Sequence, residues 1–390
     1  MERRSVVVTG YGVVSGAGVG EDSFWKGLQS FPGEGPHEID GWDPEPWIPK
    51  KESRRLDRFT QFGVVATEDA LGMAGGLDAY DPDRVTVSIA TGVGGLKSLE
   101  DLILNTYSDE PTRLSPLWIP MMMCNAASAA VSIRYGFGGQ ANTPVVACAA
   151  GGQAIIDAVR LISWGYADAA VAGGAEGALR ESTIEGFSAM RALSPTNVAR
   201  PFDRDRDGFV AGEGAGILIL EERSQAAARG ATILAEIVGT ASTADAHHLT
   251  APHPKGEGAE RAVRLALEDA ALTPGDVTYV NAHGTGTQLN DVTESQVIAR
   301  VFGDDQPAVS SIKGVTGHAL GASGAVEAVA SVMAILREEL PPNLGLDTPD
   351  PEVELTDIVR EPRRWQPGLV LSNSFGFGGH NVVLAIAPPR

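Results

Sequence analysis

One cysteine lies where a strand-like run meets a helix-like run. Residues 144–147 predict a short strand, and Cys148 is followed by apolar residues at helical spacing, Ile155, Val159 and Ile162. A thiol at the start of a helix lies near the positive end of the helix dipole, which stabilises the thiolate and lowers its pKa. Alanine and glycine on both sides leave the sulfur accessible to a bulky electrophile. The pattern favours a cysteine nucleophile, and the alternative is a buried structural cysteine.

His283 is the first of two histidines in glycine-rich turns of the second half of the chain. It follows a strand-like run over residues 279–282 and precedes the sequence Gly-Thr-Gly-Thr. A histidine at the end of a strand can present its ring to a cavity, and the hydroxyls of Thr285 and Thr287 can hydrogen-bond an amide-bearing ligand. The alternative is a histidine that is satisfied within the core.

His318, the second histidine, lies in a segment with four glycines within residues 314–324. So many glycines imply tight turns or a close approach of the backbone. Lys313 precedes His318 by five residues and could pair with a carboxylate, for which Glu327 is a candidate. A phosphate-binding loop is the competing interpretation, but the segment lacks the Gly-Lys-Ser/Thr order of such a loop.

The segment 373–381 alternates phenylalanine and glycine between two strand-like runs. Such a turn exposes backbone N–H groups, which are the donors that an oxyanion hole requires. The competing interpretation is a tight hairpin loop with packed aromatic rings. Each of the four features has such an alternative, but their occurrence together in one chain favours a catalytic site.

Strand-like and helix-like segments alternate along the whole chain and must position these residues. Short β-branched runs predict strands, and alanine-rich segments with apolar residues at spacings of three and four predict helices. The strands are predicted at residues 5–9, 85–90, 144–147, 169–172, 216–220, 235–239, 279–282, 309–311, 369–372 and 381–387. The helices are predicted at residues 59–74, 151–164, 256–271, 291–301 and 324–337. This alternation predicts an α/β protein with helices packed on sheets.

Composition and charge exclude several classes of function. The net charge of −20 and the pI of about 4.7 disfavour binding to nucleic acid. No run of 18 uncharged apolar residues occurs, so we expect no membrane association. Two cysteines in 390 residues are typical of a reducing compartment, so we expect a cytoplasmic protein. His247, His248 and His253 lack the further ligands of a zinc site, so no metal is expected there.

Several strings along the chain resemble the elongating β-ketoacyl-[acyl carrier protein] synthases, which are condensing enzymes of the thiolase superfamily. They lie at residues 8–15, 172–176, 200–203, 206–209, 281–287, 313–324 and 373–381. The resemblance implies a thiolase-like α/β fold of five layers, αβαβα, built from two pseudo-symmetric halves over residues 1–234 and 235–390. It also implies a dimer, either a homodimer or a heterodimer with a cysteine-less homologue.

The resemblance implies a role for each candidate around the cysteine. Cys148 matches the acyl-accepting nucleophile of the family, and the backbone N–H groups of Cys148 and Phe377 match the oxyanion hole. Phe377 also matches an aromatic gate. Thr285 and Thr287 match the hydroxyls that hold the pantetheine arm of the acyl carrier protein.

The two histidines match the pair that supports malonyl decarboxylation and stabilises the resulting carbanion or enolate, and Lys313 and Glu327 match a supporting charged pair. The implied reaction is a decarboxylative Claisen condensation. It joins an acyl group on Cys148 to malonyl-[acyl carrier protein] and gives 3-oxoacyl-[acyl carrier protein]. Loss of carbon dioxide drives the reaction, so neither a metal nor a redox cofactor is expected.

Other functions stay open. A thiolase would need a second, late cysteine, and none follows Cys148. A catalytically silent chain-length partner would lack Cys148, although a synthase subunit that is active only with such a partner fits the sequence. A cysteine-dependent acyl hydrolase would leave Lys313 and the second histidine unexplained. Fatty acid and polyketide elongation fit equally well, and His247 and His380 depart from the common family pattern.

A basic segment interrupts the acidic sequence. Residues 50–58 hold five of the 30 basic residues, directly before a predicted helix. Acyl carrier proteins are strongly acidic, so a chain of charge −20 needs a local basic surface to attract one. The segment resembles the carrier-docking segment of the family, with Lys51, Arg54 and Arg55 at matching positions. The alternative is a solvated helix start that pairs with its own carboxylates.

Overall fold

The computed structural model of the protein describes residues 3–390, in which strands and helices alternate. The strands are β1 (Val6–Ser15), β2 (Gly18–Val19), β3 (Val85–Ala90), β4 (Ala141–Asn142), β5 (Ala169–Glu176), β6 (Gly214–Glu222), β7 (Ala235–Ala244), β8 (Val277–Asn281), β9 (Ala308–Ser310), β10 (Glu339–Leu340), β11 (Arg363–Arg364), β12 (Leu369–Gly376) and β13 (His380–Ala387). The α-helices are α1 (Glu21–Gly27), α2 (Lys50–Ser53), α3 (Arg58–Ala74), α4 (Leu96–Thr106), α5 (Trp118–Met122), α6 (Ala126–Tyr135), α7 (Ala150–Ser163), α8 (Glu181–Ala189), α9 (Arg223–Ala228), α10 (Glu257–Asp269), α11 (Gln288–Phe302), α12 (Lys313–Thr316) and α13 (Ser323–Arg337).

One continuous sheet contains two sets of five strands with the same internal order. Counted from its outer edge, the first set runs β4-β3-β5-β6-β1 and the second runs β9-β8-β12-β13-β7. In both sets the first three strands are parallel, and the last two each pair antiparallel with the strand before. A short antiparallel ladder between β1 and β7 joins the sets, with Val6 opposite Ile237. This repeat supports two halves, and their boundary between residues 234 and 235 stays a prediction.

Three large apolar clusters lie between and outside the two sets of strands. The central cluster contains α7 and α13, with strand residues from both sets. A second cluster packs α3 and α6 on the outer face of the first set, and a third packs α10 and α11 on the outer face of the second. The resulting order of helix, sheet, helix, sheet and helix confirms the αβαβα fold that the resemblance implied.

Successive side chains along each central strand point into two different layers of the fold. In β6, Leu218 and Leu220 belong to the central cluster, whereas Ile217 and Ile219 belong to the outer cluster of α3. Successive side chains of a strand point to opposite faces, so a strand that is covered on both faces must be apolar throughout. The central strands therefore have continuous apolar sequences.

All five predicted helices and nine of the ten predicted strands overlap an observed element. The prediction of a strand over residues 144–147 was wrong. The nearest strand, β4, already ends at Asn142, because Pro144 has no N–H to donate to a neighbouring strand. The Ser128 hydroxyl instead contacts the Asn142 carbonyl at 2.7 Å and the Thr143 hydroxyl at 2.8 Å. The segment before the candidate nucleophile is therefore an extended connection.

One helical stretch, Leu320–Arg337, is long and apolar enough by length and composition to cross a membrane. Nearly all of it is buried in the fold, where it forms α13 and the turn before it. A helix that lies between two sheets must be apolar on all sides. The composition of this stretch is thus explained by its position in the central layer.

The two central helices approach each other too closely for a side chain at Gly151. A Cβ atom there would lie 2.7 Å from the backbone nitrogen of Ala325 in α13. At Gly72, in α3, a Cβ atom would meet nothing within 4 Å. The two glycines therefore form a matched pair for a test of this contact.

Gly151→Ala should lower the free energy of unfolding by about 1–3 kcal/mol, because overpacking outweighs the gain in helix propensity. Gly72→Ala, the control, should raise it by about 0.5–1 kcal/mol. Chemical denaturation followed by circular dichroism measures both values. An unchanged or higher stability of the Gly151 variant would contradict the tight contact.

Candidate active site

Cys148 lies in a tight turn between an extended segment and α7. The residue before it, Ala147, has a φ of 50°, a left-handed value that is uncommon outside glycine. Cys148 is 7% exposed and lines a cavity of about 490 Å³. A Cβ atom at Gly152 would lie 2.7 Å from Cγ1 of Val382. The small residues after the cysteine are therefore required by packing as well as by access to the sulfur.

The thiol of Cys148 is less acidic than the sequence indicated. Burial raises its pKa to about 11, and the carboxylate of Glu176 acts in the same direction. The backbone N–H groups of Phe377 and of Cys148 itself, together with the ammonium of Lys313, lower the pKa. The predicted low pKa at the helix start was therefore wrong, because desolvation of the thiolate outweighs these favourable interactions.

The loop after β12 brings its backbone against the cysteine turn. The N–H of Phe377 hydrogen-bonds the Cys148 sulfur, and a Cβ atom at Gly376 would lie 3.1 Å from the Cys148 backbone nitrogen. Gly378 has a φ of 81° and donates its N–H to the carbonyl of Leu249 at 2.7 Å. Phe377 is half-buried and lines the cavity. Two backbone N–H groups thus lie beside the sulfur, where they can donate to the oxygen of an acyl group that becomes attached to it.

The ammonium of Lys313 fixes the ring of His283. Its Nζ atom donates to the His283 carbonyl oxygen at 2.6 Å and lies 3.3 Å from ring Nδ1, and it also forms a buried ion pair with Glu327. Because an ammonium has only donors, Nδ1 must accept, and the ring proton is on Nε2. His283 lines the cavity, so Nε2–H is the group that it offers there.

The ring of His318 stands nearly perpendicular to that of His283, with 5.4 Å between the ring centroids. Its Nδ1 lies 2.8 Å from the Ser323 hydroxyl, which leaves Nε2 for the cavity. Burial holds the pKa of both histidines well below the usual value, and the charge of Lys313 lowers it further. Both rings are therefore neutral near pH 7. His283 offers Nε2–H to the cavity, and His318 does so in the tautomer whose Nδ1 accepts from the Ser323 hydroxyl.

Thr285 and Thr287 line the same cavity, beside the exposed side chain of Leu289. Their hydroxyl oxygens are 3.0 Å apart, and Thr287 also caps α11 by accepting the N–H of Asn290 at 3.4 Å. The structure therefore gathers both threonines, the cysteine, both histidines and Phe377 around one cavity. The lysine and glutamate of the ion pair lie behind the ring of His283 rather than on the cavity wall.

Sequence reasoning missed Glu294, which orients the turn of His283. Its carboxylate accepts the N–H groups of His283 at 2.9 Å and Gly284 at 2.8 Å, and Nδ2 of Asn373 donates to it at 3.2 Å. Glu294 is buried in α11, and burial raises its pKa. An acidic residue on the apolar stripe of the predicted helix 291–301 was the signal that could have revealed it.

Four buried oxygen atoms beside this network lack a hydrogen-bond partner among the described residues. They belong to Asn281, Glu327, Ser372 and Asn373. Amide, hydroxyl and carboxylate oxygens are the ligand types that hard cations prefer. Within residues 3–390, however, no group of three or more His, Cys, Asp or Glu side chains could hold a metal ion. The expectation that the protein needs no cofactor stays a prediction.

The three candidate docking residues lie outside the cavity. All are exposed, with Lys51 in α2 and Arg54 and Arg55 directly after it. None of them forms an ion pair with any part of the chain that the structure describes, whereas Lys50 pairs with Glu45 and Arg58 with buried Glu213. The alternative interpretation, in which the segment pairs with its own carboxylates, therefore holds for Lys50 and Arg58 but not for the three candidate docking residues.

Family comparison explains why these residues occur together. The β-ketoacyl synthase N-terminal domain matches residues 32–226, and the β-ketoacyl synthase C-terminal domain matches residues 234–347. The chain belongs to the β-ketoacyl synthase family. In an alignment 408 positions long, it is 46% identical to a 3-oxoacyl-[acyl-carrier-protein] synthase 2 from Synechocystis sp. The alignment covers 99% of this chain and 98% of the relative.

Solved structures of ketosynthases have the same fold. The ishigamide ketosynthase/chain length factor superposes with a TM-score of 0.93 at 33% identity, over all of both chains. A ketosynthase solved with its type II polyketide acyl-carrier protein superposes with a TM-score of 0.89 at 31% identity, again over all of both chains. This β-ketoacyl synthase is therefore a condensing acyltransferase of fatty acid or polyketide elongation, and the predicted function is confirmed at that level.

Both histidines of this synthase should stay neutral between about pH 8 and pH 6, where an unperturbed imidazole titrates. Nitrogen-15 NMR of histidine-labelled protein should find the His283 proton on Nε2, with signals assigned from His283→Gln and His318→Gln. Lys313→Met removes a positive charge, so the pKa of both rings should rise. A wild-type ring that titrates at the usual pH would contradict the effect of burial.

Proposed function

We propose that the synthase holds an acyl group on Cys148 and condenses it with malonyl-[acyl carrier protein]. One observation supports this proposal above the others. The Cys148 sulfur, with its two backbone N–H donors, lines the same cavity as the neutral rings of His283 and His318. A cysteine hydrolase would need only one histidine, and a thiolase would need a second late cysteine, so neither alternative accounts for this set.

In the first step, the Cys148 sulfur attacks the carbonyl carbon of the acyl thioester on the carrier. The N–H groups of Cys148 and Phe377 hold the oxyanion that forms. The bond to the carrier sulfur then breaks, and the thiol proton passes to that sulfur, so the carrier leaves as a free thiol. Since burial disfavours the thiolate, these donors must stabilise negative charge on both the sulfur and the oxygen.

In the second step, the malonyl thioester carbonyl accepts hydrogen bonds from His283 and His318. As carbon dioxide leaves, the electron pair of the broken carbon–carbon bond forms an enolate, and its oxygen stays on these donors. The enolate carbon attacks the acyl carbon, the bond to the Cys148 sulfur breaks, and the departing thiolate takes up a proton from solvent to regenerate the thiol. Neutral rings favour this step. A cationic ring would stabilise the malonyl carboxylate in the ground state and so raise the barrier to the loss of carbon dioxide.

We propose no metal and no redox cofactor for either step, since the loss of carbon dioxide supplies the driving force. The proposed location is the cytoplasm, where a reducing environment keeps the free thiols of Cys124 and Cys148 reduced. Neither nucleic acid nor a membrane is a proposed partner, which agrees with the net charge of −20.

The proposed partner is an acyl carrier protein whose pantetheine arm passes Thr285 and Thr287. The proposed assembly is a homodimer, or a heterodimer with a cysteine-less homologue. One solved relative is a ketosynthase/chain length factor, and another is a ketosynthase in complex with its acyl-carrier protein. The proposal includes the division of the chain into halves over residues 1–234 and 235–390, with Cys148 in the first half and both histidines in the second.

The two half-reactions should separate by mutation. His283→Ala and His318→Ala should still form acyl-Cys148 but release carbon dioxide from malonyl-carrier about 10²–10³-fold more slowly, as expected for loss of one donor to a developing oxyanion. Cys148→Ala, the reciprocal control, should abolish condensation and acylation. Mass spectrometry of the intact protein and a carbon dioxide assay measure the two steps. Loss of acylation with normal decarboxylation in the histidine variants would reverse the assigned roles.

We propose that Lys51, Arg54 and Arg55 form the surface that receives the carrier. Their side chains are exposed and form no ion pair within residues 3–390, which leaves their positive charges available to an acidic partner. Charges at the rim of an interface mainly change association rate and salt dependence. Changing these charges should therefore alter the reaction of substrates that are attached to the carrier. It should leave the reaction of carrier-free substrates unchanged.

Reversal of Arg54 and Arg55 to Glu should raise the apparent KM for acyl-carrier about tenfold or more and flatten its salt dependence, because attraction becomes repulsion. Turnover of a small acyl-pantetheine should hardly change, since that substrate never contacts the segment. Reversal of Arg113, an exposed arginine outside this segment that forms no ion pair with the described residues, is the control. Equal losses with both substrates would mean that the segment supports the fold instead.

A further inference from the structure

Glu176, the last residue of β5, is a fully buried carboxylate to which the mechanism assigns no role. Its hydrogen-bond partners are the Thr91 hydroxyl at 2.9 Å and the backbone N–H groups of Gly92 at 2.5 Å and Gly321 at 3.0 Å. The Thr91 hydroxyl accepts the N–H of Gly94 at 3.0 Å, so its own proton points to Glu176. Every one of these partners is a donor.

This set of donors suits an ionised carboxylate. A protonated acid would need an acceptor for its own O–H; the two backbone N–H groups supply none, and the Thr91 hydroxyl could accept only by giving up its own bond to the carboxylate. Burial raises the pKa of Glu176 to about 7, whereas the hydrogen bonds lower it, so the negative form predominates above neutral pH. The charge has no ion-pair partner among residues 3–390, so the donors alone stabilise it.

One oxygen of Glu176 joins two segments of the cavity wall. Oε2 accepts the N–H groups of both Gly92 and Gly321, whose backbones touch, since a Cβ atom at Gly321 would lie 2.1 Å from the Gly92 nitrogen. Gly92 and Val93 line the cavity on one side of this contact, and Leu320 lines it on the other. Leu320 has a φ of 42°, a strained value that the adjacent hydrogen bond helps to hold.

We propose that Glu176 is a positioning residue, whose carboxylate clamps these two wall segments together and whose charge restrains the reactivity of the Cys148 thiol. The second effect follows from position and sign: Glu176 binds the backbone of Gly92, which lines the same cavity as Cys148, and a negative group so placed disfavours the thiolate. The first effect, the clamping of the two wall segments (the wall effect), bears on acylation and so rests on the proposed role of Cys148 as acyl acceptor. The charge effect does not, so the two can be tested separately.

Alkylation of Cys148 by iodoacetamide tests the charge effect without any acyl substrate. Glu176→Gln removes the charge, so at about pH 8 alkylation should be about tenfold faster, which corresponds to a thiol pKa lower by one unit. Glu176→Asp keeps the charge, so near pH 9, where a carboxylate that has lost one donor is still ionised, it should alkylate at the wild-type rate. Asp57→Asn is the matched control, since Asp57 is 2% exposed, accepts only from Phe59 and Ser98, and lines no part of the cavity. Mass spectrometry of proteolytic peptides measures alkylation at Cys148 separately from alkylation at Cys124.

Acylation by short and long acyl-pantetheines tests the wall effect. The shorter side chain of Glu176→Asp cannot reach both wall segments, so the ratio of kcat/KM for long over short substrates should change by about threefold or more. Asp57→Asn should leave this ratio unchanged. A wild-type enzyme that is alkylated but never acylated at Cys148 would refute the proposed function while leaving the charge result valid.

Equal alkylation rates in wild type, Glu176→Gln and Asp57→Asn, all folded by circular dichroism, would overturn the proposal. If Glu176→Gln does not fold, Thr91→Val replaces it. Loss of one donor raises the pKa of Glu176, so alkylation of the Thr91 variant should be faster near pH 7 and equal to wild type near pH 9. A folded Thr91 variant with the wild-type rate at both pH values would overturn the proposal equally.

Discussion

The buried ammonium group of Lys313 is the interaction on which the active site depends. It pairs with Glu327, binds the backbone carbonyl of His283 and occupies the ring Nδ1 of the same histidine. Its charge lowers the pKa of His283, His318 and Cys148 alike. A buried charge persists only with a well-placed partner, so Glu327 is as necessary as the lysine. Burial keeps the two imidazoles neutral and the charge of Lys313 reinforces this effect, while the same charge opposes the desolvation of the thiolate.

The repeated topology explains how these groups come to lie around one cavity. The connection from β4 to α7 carries the cysteine turn, and the equivalent connection from β9 to α13 carries Lys313 and His318. Both helices lie in the central layer, where the glycines of α7 allow a close approach to α13. In the proposed mechanism, the first half therefore supplies the acyl acceptor, and the second half supplies the donors that activate the attacking carbon.

Rigid backbone geometry surrounds the sulfur. Ala147 and Leu320, on either side of the cavity wall, have φ values of 50° and 42°, each of which costs about 1–3 kcal/mol. Such conformations persist only where neighbouring contacts determine them, and here the contacts are the cysteine turn, the Glu176 carboxylate and the loop of Phe377. Donors held in this way need little reorganisation when charge develops, and this preorganisation is how an oxyanion hole accelerates a reaction.

The amino-acid sequence indicated which residues line the candidate site and which layers hold them. The candidate nucleophile, both histidines and the donor loop lie in small-residue turns. The periods of the apolar residues predicted every strand longer than two residues and the five longest helices, but none of the shorter elements. Tertiary structure alone decided the charge states, the partners Glu176 and Glu294, and the loss of the strand over 144–147. The reason is physical: local patterns depend on neighbours in the chain, whereas desolvation and hydrogen bonding in the site depend on atoms more than a hundred residues away.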